Sequence, residues 1–432
     1  MPARRATPEP TLPAILRRMD EDRLRRYREN LAFYEGKQWT GRARRGERRL
    51  TFNYAKAFVD KVTSYLLNSS TIQLETRDGD TAAGRDRARA GERLLREVGA
   101  TNALAQLDFE TELDCAVLGD AAYKVTWDTD SGAVRVSAPD VQGIFAWRQP
   151  DDASRITAVA SQYRVGADAA SPSTSVLVTE YWTAELFELW HGEELSDRQP
   201  NPYGFIPFVI FPNVREPKQA WGTSDVPALV ESNRELNRAY SQLSQILELS
   251  GNPIAVIEGV TGSSDIEVQP GAVWEVPENA KAYLLDLLKG GGVALHGDYI
   301  DLIYRTLHDL GESPRTAFGH NPQGLSGIAL NTELDPIARK VMRKQRIRGS
   351  VYERRAELVL RLLHQFAGLD IEGLRPVMHW GPILPIDRSR EVADERALVE
   401  AGIQSRRTAA ARLGMDDPEA EWARVREEMA GA

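Results

Sequence analysis

The chain has a single cysteine, Cys115, among 432 residues. One thiol excludes any intrachain disulfide and fits a reducing compartment; its helical, half-buried setting in ELDCAVLG predicts a packed thiol. Histidine is scarce too, and the six (positions 191, 296, 308, 320, 364 and 379) show no HExxH or other close ligand spacing. His296 and His308 fall on one predicted helix but more than three turns apart, too far to share a metal. No apolar run approaches the roughly 18 residues that a bilayer span needs. The opening MPARRATPEPTLP has basic residues with no apolar stretch behind them, so it reads as a frayed tail and not as a secretory signal. Lysine is sparse as well: Arg outnumbers Lys 45 to 9, which points only to a GC-rich genome.

Basic charge is in deficit. A net charge of −9 argues against a protein whose task is to grip nucleic acid, because that needs a basic footprint. The distribution is uneven: Arg42–Arg49 (RARRGERR) and Arg339–Arg348 (RKVMRKQRIR) are basic, whereas the C-terminal section is acid-rich. Each block suits a surface that meets another surface, and equally a solvated helix face. The apolar share of 42% and charged share of 27% are ordinary for a folded protein. The length allows two or more structural units of roughly 100–200 residues each.

No constellation has the form of an active site. Gly36-Lys37 lacks the earlier glycine and the following Ser/Thr of a nucleotide-binding loop. Gly290-Gly291-Gly292 reads as a phosphate cradle or, more simply, as a flexible joint. Gly324-Leu325-Ser326-Gly327 is not a nucleophile elbow, which needs G-x-S-x-G after a strand, so Ser326 is expected to cap a helix. Asp108, Glu110, Glu112 and Asp114 step by two; on a helix they spread around the axis as a solvated face and do not converge for acid–base work. The residues predict a non-enzyme with no metal and no cofactor.

What is present is an ordered series of elements. Helices are predicted at 20–35, from Asn53 through NYAKAFVDKVTSYLL (Tyr54, Phe58, Val62, Tyr65 and Leu66 at helical spacing), at 83–98 and at 102–118. Tyr123, Val125 and Trp127, the DTDSG turn, then Val134 and Val136 make a hairpin signal. Further strands are expected at Ile144–Trp147, Ile156–Tyr163, Val176–Trp182 and Phe208–Phe211, so residues 1–221 read as a mixed α+β unit. A helix starts at Thr223-Ser224-Asp225-Val226-Pro227 and is stopped by Gly251-Asn252-Pro253. Its apolar positions Leu229, Leu236, Tyr240, Leu243 and Leu247 form a narrow seam between polar faces holding Asn233, Asn237 and Ser241, a stripe that needs a partner to cover it. A small strand-and-turn stretch follows. The next helix, Val293–Leu310, is predicted to carry Leu295, Tyr299, Leu302, Ile303, Thr306 and Leu310 on one side. After breakers at Pro314, Gly319, Pro322 and Gly324, a long helix from Ser326 to about Ala367 is expected to kink at Pro336. A strand at 377–386 and a helical tail broken at Gly402, Gly414 and Pro418 complete the series. The fold class is α+β, helix-dominated.

Three stretches carry a resemblance. FYEGKQW with NYAKAFVDKVTSYLLNSS looks like the early Y-x-G segment and N-Y-x-K-x-x-V-D helix of the SPP1-type portal proteins of tailed bacteriophages. LSGIALNTELDPIARKVMRKQ resembles that family's S-G-x-A-L approach to its tunnel-lining helix. LVEAGIQSRRTAAARLGMDDPEAEWARVREE is similar to its C-terminal G-x-x-S-x-x-T-x-x-x-x-L-G-x-x-D-P-x-x-E section. The Arg-rich segment 42–49 and a short crown depart from the pattern. The resemblance implies a wing at 1–221 to which strand 376–386 returns, stem helices at 222–251 and 287–313, and a clip at 252–286. It further implies a tunnel loop at 314–325, a long kinked helix at 326–369 and a crown at 387–432. On that pattern Phe318, His320, Asn321 and Gln323 would face DNA, and Leu229, Leu236, Tyr240, Leu243 and Leu247 would be the stem packing stripe. The protein would be a head–tail connector in the virion, a homo-oligomeric ring of typically twelve subunits at one capsid vertex, made in the bacterial cytoplasm and without a membrane role. Double-stranded DNA would pass through it, and its partners would be the terminase large subunit, a head–tail adaptor, and the major capsid and scaffolding proteins. ATP hydrolysis would belong to the terminase. Two other readings are a metal-dependent nucleic-acid enzyme built on the acids at 108–114, and a ring-forming head–tail adaptor.

Overall fold

The computed structural model describes residues 10–67, 70–76, 81–166, 175–251, 254–258, 281–285, 292–320, 327–370, 373–384, 388–415 and 418–431. Two units divide the chain, Met1–Trp380 and Gly381–Ala432.

The first unit begins with α1 (Leu12–Leu16), α2 (Glu21–Tyr34) and α3 (Tyr54–Leu66). The Asn53 side chain caps α3 by accepting from the Lys56 N–H, as its residue type and position favour. Then come β1 (Ser70–Thr76), α4 (Ala82–Thr101) and α5 (Leu104–Leu118). Gly119 ends α5 at φ 115°, and a Cβ there would stand 3.0 Å from the Ser224 nitrogen, so both conformation and space require glycine.

Eight strands lie between α5 and the next α-helix: β2 (Asp120–Asp128), β3 (Ala133–Ser137), β4 (Ile144–Arg148), β5 (Ile156–Val165), β6 (Val176–Trp182), β7 (Leu186–His191), β8 (Glu194–Pro200) and β9 (Phe208–Pro212). They form two antiparallel sheets, ordered β3-β2-β9 and β4-β5-β6-β7-β8. The expected hairpin is β2–β3, with Val125 opposite Val136 and Trp127 opposite Val134. Strands β1, β7 and β8 lie outside the predicted series. Every residue of β8 is exposed, and the alternation of β1 is carried by two apolar residues alone, Ile72 and Leu74.

Next are α6 (Pro227–Gly251), β10 (Ile254–Glu258) paired with β11 (Lys281–Leu285), and α7 (Gly292–Gly311). The long helical stretch is two helices, α8 (Gly327–Glu333) and α9 (Asp335–Ala367). The break falls at Leu334, so Pro336 opens α9 in its first turn, where a missing N–H costs nothing. Ser326 lies outside the described residues. β12 (Leu374–Trp380) starts three residues before the strand expected from sequence and pairs antiparallel with β1, far earlier in the chain.

Two large apolar clusters, with a smaller one of Leu16, Phe145 and Ala160, hold this unit among the described residues. Phe33, Phe58, Val59, Leu118, Leu229, Leu236 and Leu307 join α2, α3, α5, α6 and α7. Cys115, Tyr123, Val125, Leu358 and Leu362 join α5, β2 and α9. Gly311 is pressed onto Phe58, where a Cβ would stand 2.6 Å from the ring, so α7 ends against α3 without a side chain between them. The second unit contains α10 (Arg388–Glu400), α11 (Arg406–Arg412) and α12 (Pro418–Gly431), separated near the predicted breakers. Gly402 and Gly414 both have positive φ, as chain reversals after helices require.

Candidate functional site

The seam on α6 is not left for a partner along its whole length. Leu229 and Leu236 are fully buried inside the chain's own core, Tyr240 and Leu243 are half-buried, and only Leu247 stands out, at 50% exposure. The partner that the stripe needs is therefore found within the chain for its first two leucines, which cluster with residues of α3 and α7.

The polar residues beside the seam are also inside. Asn233, Asn237 and Ser241 recur every four residues and are all buried. They receive backbone N–H groups from the segment that leads into α3 and from its first turn. The Ala55 N–H donates to Asn233 Oδ1 (2.9 Å), the Phe52 N–H to Asn237 Oδ1 (2.8 Å) and the Leu50 N–H to Ser241 Oγ (2.9 Å). Both asparagine amides donate in turn to the buried Gln38 Oε1, at 2.9 and 2.7 Å. The N–H groups of Leu50 and Phe52, and of Ala55 in the first turn of α3, are thus satisfied by helix side chains. The basic loop at 42–49 is drawn back by the same segment: Arg49 donates to the carbonyls of Gly41 and Arg42, and Arg48 pairs with Glu248 of α6 at 3.1 Å.

Helix α7 is apolar on two faces, and the chain covers one of them. Ile300, Ile303 and Leu307 are buried, whereas Leu295 (71%), Tyr299 (42%), Leu302 (61%) and Leu310 (48%) are exposed. Of the six residues predicted to share one side, Ile303 alone is buried. Leu295, Tyr299, Leu302 and Thr306 follow a 4-3-4 spacing, so the exposed leucines form one apolar stripe. Beside it, Gln38, Trp39, Glu235, Arg238, Leu302 and Ile303 line part of an open groove of about 500 Å³ between α6 and α7.

The basic stretch of α9 is neither solvated nor an outer surface where it meets the core. Lys340, Lys344 and Arg348, one turn apart, interleave with two carboxylates. Lys344 Nζ lies 2.6 Å from Asp225 and 3.8 Å from Glu112, and Lys340 lies 3.7 Å from Asp225. Arg348 grips Glu112 with two bonds of 2.6 and 2.8 Å and donates to the Pro212 carbonyl at 2.8 Å. Burial opposes a charge on Asp225, but Lys344 and Lys340 outweigh it and hold the carboxyl well below the usual range. One turn earlier on α5, Asp108 pairs with Arg355 and accepts from the Tyr123 hydroxyl at 2.8 Å.

The solvated-face reading of 108–114 is therefore corrected at Asp108 and Glu112. Both face cations of α9, which also leaves the metal-dependent alternative without these two ligands. Cys115 is fully buried against this cluster, and burial pushes its thiol up.

The segment after α7 is partly built into the core. Arg315–Phe318 form a short 3-10 turn, and the Phe318 ring lies 5.1 Å from Phe58 and 5.4 Å from His308. His308 is buried and its Nδ1 lies 2.5 Å from the Ser313 carbonyl oxygen, closing the turn; burial lowers its pKa. Phe318 is thus a packing residue, which corrects its assignment to a DNA-facing position. His320 is exposed, and Asn321 and Gln323 lie outside the described residues.

The sequence model of the family described as phage portal protein, SPP1 Gp6-like, matches residues 15–432. The chain belongs to this family of bacteriophage portal proteins. No curated protein matches it significantly. Among the described residues no helix is long and apolar enough to cross a membrane.

Proposed function

We propose that the chain is the subunit of a ring-shaped channel at one capsid vertex, through which duplex DNA is packaged, retained and ejected. The observation that carries this reading is the family match, which runs through the order of elements from α2 to α12. In the assembled ring α6 and α7 would be the stem, β10–β11 part of the clip, α9 the tunnel helix and α10–α12 the crown. The terminase large subunit would dock during packaging and a head–tail adaptor afterwards, with capsid and scaffolding proteins around the ring.

A closed ring needs two different complementary faces on each subunit. The apolar stripe of α7 supports that requirement, because Leu295 and Leu302 are exposed among the described residues. Negative-stain imaging of the purified protein is expected to show rings with a central channel. Leu295→Asp with Leu302→Asp should leave a folded chain with unchanged helical circular dichroism but few rings, since each leucine removed from water contributes roughly 1.5–3 kcal/mol. Wild-type protein that never forms a channelled ring would refute the portal reading. Normal rings from the double variant would refute only the α7 contact.

A further inference from the structure

Helix α7 ends in a turn that is closed by a histidine. His308, in the last turn of the helix, is 5% exposed, and its Nδ1 lies 2.5 Å from the carbonyl oxygen of Ser313. A carbonyl oxygen only accepts, so Nδ1 carries the hydrogen and the neutral ring leaves Nε2 as a bare acceptor. That nitrogen is buried and has no hydrogen-bond partner among the described residues. Three aromatic rings lie against the imidazole, with centroids at 4.6 Å for Tyr304, 4.9 Å for Phe58 and 5.4 Å for Phe318. The Ser313 N–H returns to the His308 carbonyl at 3.2 Å, across Glu312 at φ 51°, so the reversal is tight and left-handed at a residue with a side chain.

A second proton would turn Nε2 into a buried donor without an acceptor among the described residues, which is costly. Aromatic faces can take a cation, but two of these rings already carry one. Arg315 stands 5.1 Å over Tyr304, and Lys61 of α3 stands 5.5 Å over Phe318. On α9, Lys340 donates to the Gly311 carbonyl at 3.1 Å and Arg343 holds Glu312 at 2.6 Å. On α7 itself, Asp301 pairs with Arg305 and lies 3.8 Å from Arg315, and Asp309 is exposed. From α3 and α6 come the phenols of Tyr54, 5.3 Å from Tyr304, and of Tyr240 beside both. Burial holds the His308 pKa below the ordinary 6.5 against the pull of the Ser313 carbonyl, and Arg315 outweighs Asp309.

We propose that His308 is a pH-sensitive latch between α7 and the segment that follows it. Neutral, it ties Ser313 to the helix end and keeps Phe318 seated against Phe58. Protonated, it leaves its aromatic seat, and residues 313–318 are released with it. The closed turn has its full stability above about pH 6.5 and loses it as pH falls below that value. The released length leads directly to His320, so acid loosens the proposed tunnel loop at its root. The proposal rests on the portal reading only for what that loop touches.

The test is hydrogen–deuterium exchange of the full-length protein at pH 7.5 and pH 5, corrected for the intrinsic pH dependence of exchange. The opening constant of the amides in residues 312–319 should rise at pH 5 by about tenfold, with a ceiling of about thirtyfold for one group of ordinary pKa near 6.5. His308→Asn keeps a donor near the Nδ1 position and cannot charge, so its ratio between the two pH values should stay near one, however loose its turn. His308→Gln supplies the same ratio if the Asn chain does not fold. Exchange at the imidazole C2 carbon of wild-type protein, followed over a pH series, should give a midpoint for His308 below the ordinary 6.5. A wild-type opening ratio near one overturns the proposal, as does an Asn or Gln ratio equal to that of wild type. A midpoint at or above the ordinary value overturns it too, because the aromatic side chains would then be holding the cation. A rise shared equally by α3 and α9 means global loosening, and the latch is wrong. Each of these failures leaves the portal reading standing, since that reading is decided by imaging of the assembled protein.

Discussion

Asp120, the first residue of β2, is 1% exposed and accepts from the Tyr27 hydroxyl at 2.5 Å and the Gly222 N–H at 2.8 Å. Burial pushes its carboxyl up to about 6 from an ordinary 3.8, against the pull of these bonds and of Arg23 and Arg148. A folded-state value above the unfolded one means that this group's contribution is complete below about pH 4 and is lost as pH rises through about 6. A shift of about two units corresponds to roughly 3 kcal/mol. Asp120→Asn, neutral throughout, should therefore gain stability relative to wild type by up to about 3 kcal/mol between pH 4.5 and pH 7.5 in denaturant titrations. A difference that does not change with pH contradicts the sign argued here. The buried pair behaves differently. Removing one partner, in Arg348→Met or Glu112→Leu, should cost about 3–5 kcal/mol, because the other charge stays buried. The double variant should recover much of that loss, since Lys344 keeps Asp225. Additive losses in this cycle would mean that the two side chains act independently.

Among the elements, α3 was legible from its Asn53 cap and apolar spacing, α5 from the Gly119 that ends it, the β2–β3 hairpin from alternation about a turn, and the stop of α6 from Gly251. Legibility fails where a helix is apolar on two faces or buries polar groups. Helix α7 has Leu295, Tyr299 and Leu302 on one side and Ile300, Ile303 and Leu307 on another, and periodicity alone cannot say which side the chain covers. On α6, Asn233, Asn237 and Ser241 look solvated because polar residues usually are. Their burial depends on a segment 180 residues earlier in sequence supplying N–H groups at matching intervals, with Ala55 and Asn233 separated by 178 positions. The charges of α9 were hidden for the same reason, since Glu112 and Arg348 are 236 positions apart. Strand β1 needed β12, at the far end of the first unit, before it had a partner. The family pattern survives these errors because it rests on element order and short motifs, which do not require knowing which face is inside.

For the whole molecule, the decisive segment is the one that follows α7. By sequence, residues 314–325 make a loop of about twelve residues where helix connections usually need about 2–8, so length alone marks them as functional or loose. The structure divides this segment by role. Ser313 to Phe318 close the end of α7, with Phe318 against Phe58 and Ala317 buried. From Gly319 onward the chain turns outward, at positive φ, to the exposed His320. We propose that the DNA-facing part of the tunnel loop begins at His320 and includes Asn321 and Gln323, polar uncharged residues that touch phosphates without holding them. Two substitutions separate packing from passage. Phe318→Ala should lower stability by about 3 kcal/mol or somewhat less, given its half-buried ring, and should weaken ring assembly in proportion. Replacing His320–Gln323 with a Gly-Ser link should leave melting and rings unchanged, because Phe58, His308 and Phe318 keep their contacts. It should reduce the DNA packaged or retained per particle, measured by nuclease-protected genome content. Particles that fill and hold full genomes with the Gly-Ser link would show that this segment only connects α7 to α8. A Phe318→Ala chain as stable as wild type would return the ring of Phe318 to the channel side.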